Sequence, residues 1–347
     1  MMKTVTMADV AKHANVSKST ISQYLNKRFD YMSEDTKNRI EETIRFLDYR
    51  PNILARSLKQ KSTTTIGVIV ANILHTFSSQ IIRTVEDVCN ETDFHVMVCN
   101  ADDDPVKEKK YIEMLRAKQV DGIILLPTGI NVELYKEMAL NKYPVVFVDR
   151  TVPGVQIPSV LLDNEKAGEI AVQHFINNGF ERIGIITNII KNVTPRKERV
   201  KGYKEALLKN GFAIRDEYIK NLEVSNVQKG LEEMMALPEP PQAILAGNDL
   251  VLIEILKHIK KQNIRIPNDL AVVGIDEVSF STFYEPGLTI IEQPAIEIGK
   301  KAAELLLNKI QTKDFESETA VYRYDPKMVV RESSNRIMSD EESQKLT

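Results

Sequence analysis

The sequence predicts a small all-α head followed by a larger α/β body of two doubly wound parallel-sheet subdomains, periplasmic-binding-protein-like in plan. Three observations carry that reading. Up to Lys61 the apolar residues fall at helical spacing. From Ile66 onward short continuous apolar runs alternate with amphipathic stretches, the pattern of parallel strands covered by helices on both faces. Charge divides at the same place. Met1–Lys61 hold 12 Lys and Arg against 7 Asp and Glu, while the remainder holds 34 against 42. A basic head on an acidic body points to a head that meets a polyanion.

The head reads as helices in order. Met7, Val10, Ala11 and Ala14 form one apolar face, with Thr6 placed to cap it. Asn15-Val16 breaks the pattern, and Asn tolerates the left-handed backbone of a tight turn. A second helix starts near Ser17 with Ile21, Tyr24 and Leu25 inward. Ser33-Glu34-Asp35-Thr36 starts a third, with Ile40, Thr43, Ile44 and Leu47 on its apolar side. Arg50-Pro51-Asn52 stops that helix, Asn52–Lys59 is long enough for a short fourth, and Lys59–Thr65 reads as a polar linker.

The body strands begin as IGVIVA from Ile66, FHVMVC from Phe94, DGIILLP from Asp121, PVVFVD from Pro144 and SVLLD from Ser159. RIGIIT from Arg182, QAILAG from Gln242 and LAVVGI from Leu270 continue the series. This is too much chain for one small doubly wound unit. The expected division is a head over 1–50, a hinge and linker over 51–65, and a body over 66–347. Within the body, an N-terminal subdomain takes 66–163 and 294–322. A C-terminal subdomain takes 164–293 and 323–347.

Several functions are excluded. Cys89 and Cys99 form no CxxC, so a disulfide framework or a cysteine zinc site is not expected. The five histidines lack ligand spacing, and neither metal nor cofactor is expected. No apolar run is long enough for a spanning helix, and the first residues lack a secretory pattern, so a cytoplasmic, non-membrane protein is expected. No GxGxxG, P-loop or GxSxG is present, which argues against an enzyme. A transport receptor is disfavoured by the basic head.

Two short helices across a tight turn, braced by a third, make a helix-turn-helix unit. The outward face of the second helix carries Lys18, Ser19, Ser22, Gln23 and Asn26, and Thr20 lies in its first turn. Lys suits guanine acceptors, Gln suits adenine, and Ser hydrogen-bonds flexibly. Thr6, Ser17 and Asn26 sit near helix ends, where phosphate contacts are favoured. In the body, polar residues stand where strands should end: Asp149-Arg150, Asn248-Asp249 and Asp276, with Arg199 opening a helix. Ligands in such sheets bind at the carboxyl ends of strands, between the two halves. Local alternatives stay open: Asp249 as a helix cap, Arg150 as a salt-bridge partner, Asp276 and Arg199 as an interdomain ion pair. The loop Lys191–Arg199 has Lys191, Arg196, Lys197 and Arg199 against Glu198, an excess that suits a carboxylate or phosphate as well as a plain solvated loop.

The motifs TMADVAKHANVSKSTISQYLN, SEDTKNRIEETIRFLDYRPNILARSLK, VLLDNEKAG, RVKGYKEAL, GNDL, VVGIDE and LTIIEQP resemble the LacI/GalR family of bacterial transcriptional regulators over nearly the whole chain. SQYLNKRFDYM and VANILHTFSSQ are similar to its KdgR-like branch, which regulates use of ketodeoxygluconate and related uronates. The resemblance implies a homodimeric repressor on double-stranded palindromic operator DNA, controlled by a sugar or sugar-acid effector. It implies a hinge helix in which Ala55 lies at the close helix–helix contact and Leu58 wedges into the minor groove, with Asn52 a further DNA-binding residue and packing of Leu58 on its own body as the alternative. It implies effector contacts from Phe77, Ser78, Asp149, Arg199, Asn248, Asp276 and Gln293. Departures are Asn15 and Gln23, where many members have Gly and Arg, Ser78 in place of a frequent aromatic, and a loop Lys27–Met32 one residue longer than usual.

Overall fold

The computed structural model describes residues 5–30, 32–50, 62–312 and 320–335. Asn52, Ala55 and Leu58, on which the hinge expectation falls, lie outside the described residues. The chain divides into a head ending at Thr63 and a body beginning at Thr64.

In the head, α1 (Met7–His13), α2 (Lys18–Leu25) and α3 (Glu34–Phe46) each start on a side-chain cap. Thr6 and Asp9 form a reciprocal capping box. Ser17 accepts from Thr20 N at 3.1 Å, and Ser33 from Thr36 N at 3.3 Å. Asn15 makes the turn with φ 52°. Val10, Ala11, Ala14, Ile21, Ile40 and Tyr49 form the core. Arg39 Nε donates to Ala14 O at 2.9 Å and ties α3 to the turn.

The body holds two six-stranded sheets. The first contains β1 (Thr65–Val70), β2 (His95–Asn100), β3 (Gly122–Leu125), β4 (Val145–Val148), β5 (Ser159–Leu162) and β11 (Val321–Tyr324), in the order β11-β5-β4-β3-β1-β2. The second contains β6 (Ile183–Asn188), β7 (Ile219–Leu222), β8 (Ala243–Ala246), β9 (Ala271–Ile275), β10 (Thr289–Glu292) and β12 (Lys327–Val329), in the order β12-β10-β9-β8-β6-β7. Pairing is parallel throughout except between β10 and β12.

Helices α4 (Thr76–Glu91), α5 (Pro105–Ala117), α6 (Val132–Leu140) and α11 (Ala295–Thr312) cover the first sheet. Helices α7 (Asn164–Asn177), α8 (Thr194–Lys209), α9 (Val227–Met235) and α10 (Asp249–Gln262) cover the second. The chain passes between sheets three times, after β5, after β10, and between β11 and β12. The third crossing corrects the expected break at 322/323. Val321–Tyr324 pairs residue for residue with Ser159–Leu162, so the chain leaves the first sheet only at Asp325–Pro326.

One packing feature positions the site. Helices α7 and α8 meet where Gly168 and Gly202 face the partner backbone. A Cβ on Gly202 would fall inside the van der Waals envelope of Glu165 O, and one on Gly168 inside that of Arg199 O. Backbone cannot yield as a flexible side chain can, so this approach needs glycine on both helices. The approach brings Arg199, in the second turn of α8, against Asn164 at the start of α7.

Candidate functional site

The strand ends of the two sheets face one cleft. Phe77, Ser78, Asp149, Arg199, Asn248, Asp276 and Gln293 all line it, together with Ala71, His75, Leu126, Arg150, Val193, Pro195 and Arg196. Its free interior amounts to about 40 Å³, room for about three waters. Ligand pockets for small molecules span roughly 300–1,000 Å³.

Asp149 and Asp276 occupy matching places. Each follows a third-position strand, β4 or β9, with φ 70° and 75°. Each donates its backbone N–H to the next strand at 3.0 Å, Asp149 to Val160 O and Asp276 to Ile291 O. Left-handed backbone turns the chain sharply out of the sheet, and Asp is among the side chains that tolerate it.

On the C-terminal side, Arg199 is buried. It donates from Nε to Asn164 Oδ1 at 2.8 Å and from Nη1 to Gly247 O at 2.6 Å, and faces Asp276 Oδ2 at 3.9 Å. Gln293 Nε2 donates to Asp276 Oδ1 at 2.5 Å. Burial pushes the Asp276 carboxyl above the usual carboxylate range, against the opposing pull of Arg199. Arg199 and Asp276 both belong to the C-terminal subdomain, so the interdomain ion pair left open by the sequence is not what this pair forms.

Asn248 caps α10 by accepting from Val251 N at 3.0 Å, and its amide donates to Asn188 Oδ1 at 2.6 Å. Asp249 therefore does not fill the role of N-cap. Its carboxylate instead crosses the cleft, accepting from Thr76 N at 2.9 Å and meeting His75 Nδ1 at 2.5 Å. Burial opposes ionisation of both groups. Their mutual hydrogen bond and charge nonetheless hold Asp249 below, and His75 above, the ordinary value.

On the N-terminal side, Arg150 is buried. It donates to Asp103 Oδ1 at 2.8 Å, to Asp149 Oδ2 at 3.2 Å and to Pro127 O at 3.1 Å. Arg196 reaches over from α8 to Asp103 Oδ2 at 3.3 Å and donates to Ile189 O at 2.8 Å. The rim loop after β3 is held by the buried Glu108, which accepts from Thr128 N at 2.6 Å, from Asn131 Nδ2 at 2.7 Å and from Tyr135 OH.

His75 and Asp103 were not found by sequence reasoning. Both sit in turns before helices; His75 meets Asp249 only across the cleft, while Asp103 is held by Arg150 of its own subdomain and reached by Arg196 from the other. The charge excess of Lys191–Arg199 was visible. The structure turns Arg196 and Arg199 into the cleft while Lys191 and Lys197 remain exposed.

In the head, Lys18, Ser19 and Gln23 are exposed on α2. Ser22 is half-buried. Asn26 turns back, donating to Ser22 O at 2.7 Å, and the Thr20 hydroxyl lies 2.8 Å from Ser17 Oγ. Thr6 and Ser17 are exposed and engaged in capping. Phe29 packs edge-on to Tyr24, with Lys37 Nζ 4.8 Å from its ring centroid, so this aromatic ring is anchored. Among the described residues no group of three His, Cys, Asp or Glu could hold a metal ion, and no helix is long and apolar enough to cross a membrane.

Residues 6–52 match the bacterial regulatory proteins of the lacI family, and residues 63–328 match the periplasmic binding proteins and sugar binding domain of the LacI family. The probable HTH-type transcriptional regulator EndR of Paenibacillus polymyxa is 44% identical over 332 residues, spanning 94% of this chain and 98% of its own. The HTH-type transcriptional regulator KdgR of Bacillus subtilis is 33% identical over 311 residues, spanning 88% and 91%. In fold, the chain is similar to the lac repressor dimer bound to operator and the anti-inducer ONPF, with a TM-score of 0.81 at 24% identity over 96% of this chain and 100% of that one.

Proposed function

The chain belongs to the LacI family of bacterial regulatory proteins, and we propose that it is a homodimeric, operator-binding repressor of carbohydrate-use genes. Its body cleft takes a sugar or sugar-acid effector. Relatives that match nearly end to end are named transcriptional regulators, not enzymes. The observation that carries the reading is the cleft itself. The two sheets meet over a ring of Asp, Asn, Gln and Arg groups whose hydrogen bonds suit sugar hydroxyls. Gln293 Oε1 is buried there without a partner among the described residues, and a ligand hydroxyl would satisfy it.

In this account Lys18, Ser19 and Gln23 read base edges in the major groove, with Ser22 beside them. Thr6, Ser17, Thr20 and Asn26 position the helix on phosphates. Leu58, flanked by Asn52 and Ala55, opens a minor-groove step from a paired hinge. An eight-residue helix is marginal alone, so the hinge orders only when something packs against it. An effector that changes the relative arrangement of the subdomains changes whether paired hinges can order. Such coupling is typically about 1–3 kcal/mol. The effector acts as an inducer.

The test is fluorescence anisotropy on a duplex selected by the chain from a randomised pool, beside a scrambled duplex, over a salt series. Affinity for the selected duplex should fall steeply with salt as counterions are released. Leu58→Ala should weaken selected-duplex binding more than scrambled-duplex binding, and equal loss of both would remove the wedge.

A further inference from the structure

Three guanidinium groups and four carboxylates share the cleft, and their contacts are unequal. Arg150 holds two carboxylates, Asp103 and Asp149. Arg199 holds Asn164 and Gly247 O and faces Asp276. Among the carboxylates, Asp249 accepts from His75 and two backbone N–H groups, and Asp276 accepts from Gln293. Arg196 is different. Its side chain is 13% exposed, yet it has one carbonyl at 2.8 Å and one carboxylate oxygen at 3.3 Å, and that carboxylate already serves Arg150. Two cations thus converge on Asp103, and the longer contact is the one from Arg196. Burial and the neighbouring Arg150 charge both push the Arg196 guanidinium below its ordinary range, the condition an added anion relieves.

We propose that Arg196 is the specificity residue of the cleft and reads a carboxylate on the effector, so that the ligand class is a sugar acid rather than a neutral sugar. This rests on the cleft being the effector site. A guanidinium fork matches a carboxylate with two parallel N–H···O bonds, and such bonds are roughly twice as strong as neutral ones. Arg196 lies on the C-terminal subdomain and Asp103 on the N-terminal one. An acid held by Arg196 therefore competes with Asp103 for it, and ligand binding loosens a contact that bridges the two halves.

The experiment is calorimetric titration of the full-length chain with matched pairs: glucuronate and glucose, galacturonate and galactose, gluconate and glucitol. Wild type, Arg196→Gln and Arg196→Lys are compared, each first checked for a wild-type circular-dichroism melt and for binding to the selected duplex. At least one acid should bind at least tenfold more tightly than its neutral partner. Arg196→Gln should bring that ratio to about one, and Arg196→Lys should keep part of it. Neutral sugars binding as well as acids, equal loss of both in Arg196→Gln, or binding of no acid would each overturn the assignment. Operator preference in the same preparations tests the regulator reading separately.

Discussion

In the N-terminal subdomain β4 is followed by Asp149, and in the C-terminal subdomain β9 is followed by Asp276. The backbone at both is left-handed, and both N–H groups bond to the next strand. What surrounds them differs. Asp149 takes its cation from the next residue, Arg150. Asp276 depends on Arg199 from α8 and Gln293 from the crossing after β10. Arg199 reaches its place only because Gly168 and Gly202 let α7 and α8 approach to backbone contact. One topology built twice therefore yields a locally satisfied half and a half whose site is set by helix packing. Perturbing packing should damage the second more than the first.

The largest expected effect tests that asymmetry. Gly202→Ala places a methyl against Glu165 backbone and should cost about 1–3 kcal/mol, the usual range for overpacking. It should also weaken effector binding by displacing Arg199. Gly67→Ala in β1 meets only side-chain atoms of the buried Leu115, the nearest at 2.5 Å, which can shift more readily than backbone. It should cost clearly less and leave effector binding intact. Urea denaturation midpoints and ligand titrations of the two variants check this, and equal costs would erase the distinction.

A smaller effect concerns the contact that joins the halves. The ordinary values are 6.5 for His75 and 3.8 for Asp249, and the folded protein raises the first and lowers the second. The stabilisation from His75 is complete below about pH 6.5 and is lost as pH rises through the raised value. The stabilisation from Asp249 is present above 3.8 and is lost as pH falls through the lowered value. Between these limits the pair should contribute about 1.5–3 kcal/mol, as hydrogen bonds to charged groups do. In thermal melts over pH 4–9, the gap between wild type and His75→Gln should be widest in the mildly acidic range and narrow above neutrality. A gap that widened with alkalinity would contradict the protonated pair.

Legibility in the sequence followed burial. β1, β3, β4, β8 and β9 are interior strands covered on both faces, so their apolar runs are continuous and readable. β7, β11 and β12 lie at or beside sheet edges, where Ile219–Leu222, Val321–Tyr324 and Lys327–Val329 mix polar with apolar residues and carry no clear period. That is why the third crossing was misplaced. In the cleft, Asp149, Asn248 and Asp276 could be read because strand ends mark ligand sites in such sheets. His75 and Asp103 could not, because Asp249 reaches His75 across the cleft and Arg150 reaches Asp103 from a distant strand end, through packing that no local pattern encodes. The helix-turn-helix was readable throughout because its caps Thr6, Ser17 and Ser33 act within their own helices.

The most direct test of a body cleft that governs a DNA-binding head is operator affinity measured with and without a saturating cleft ligand, in wild type and in Asp276→Ala. The account predicts that ligand lowers wild-type affinity for the selected duplex by roughly 5–150-fold, the span of a 1–3 kcal/mol coupling. Asp276→Ala should bind that duplex as wild type does and show no response to ligand. A wild-type chain that binds ligand without any change in DNA affinity, or an Asp276→Ala chain that still responds in full, would contradict it.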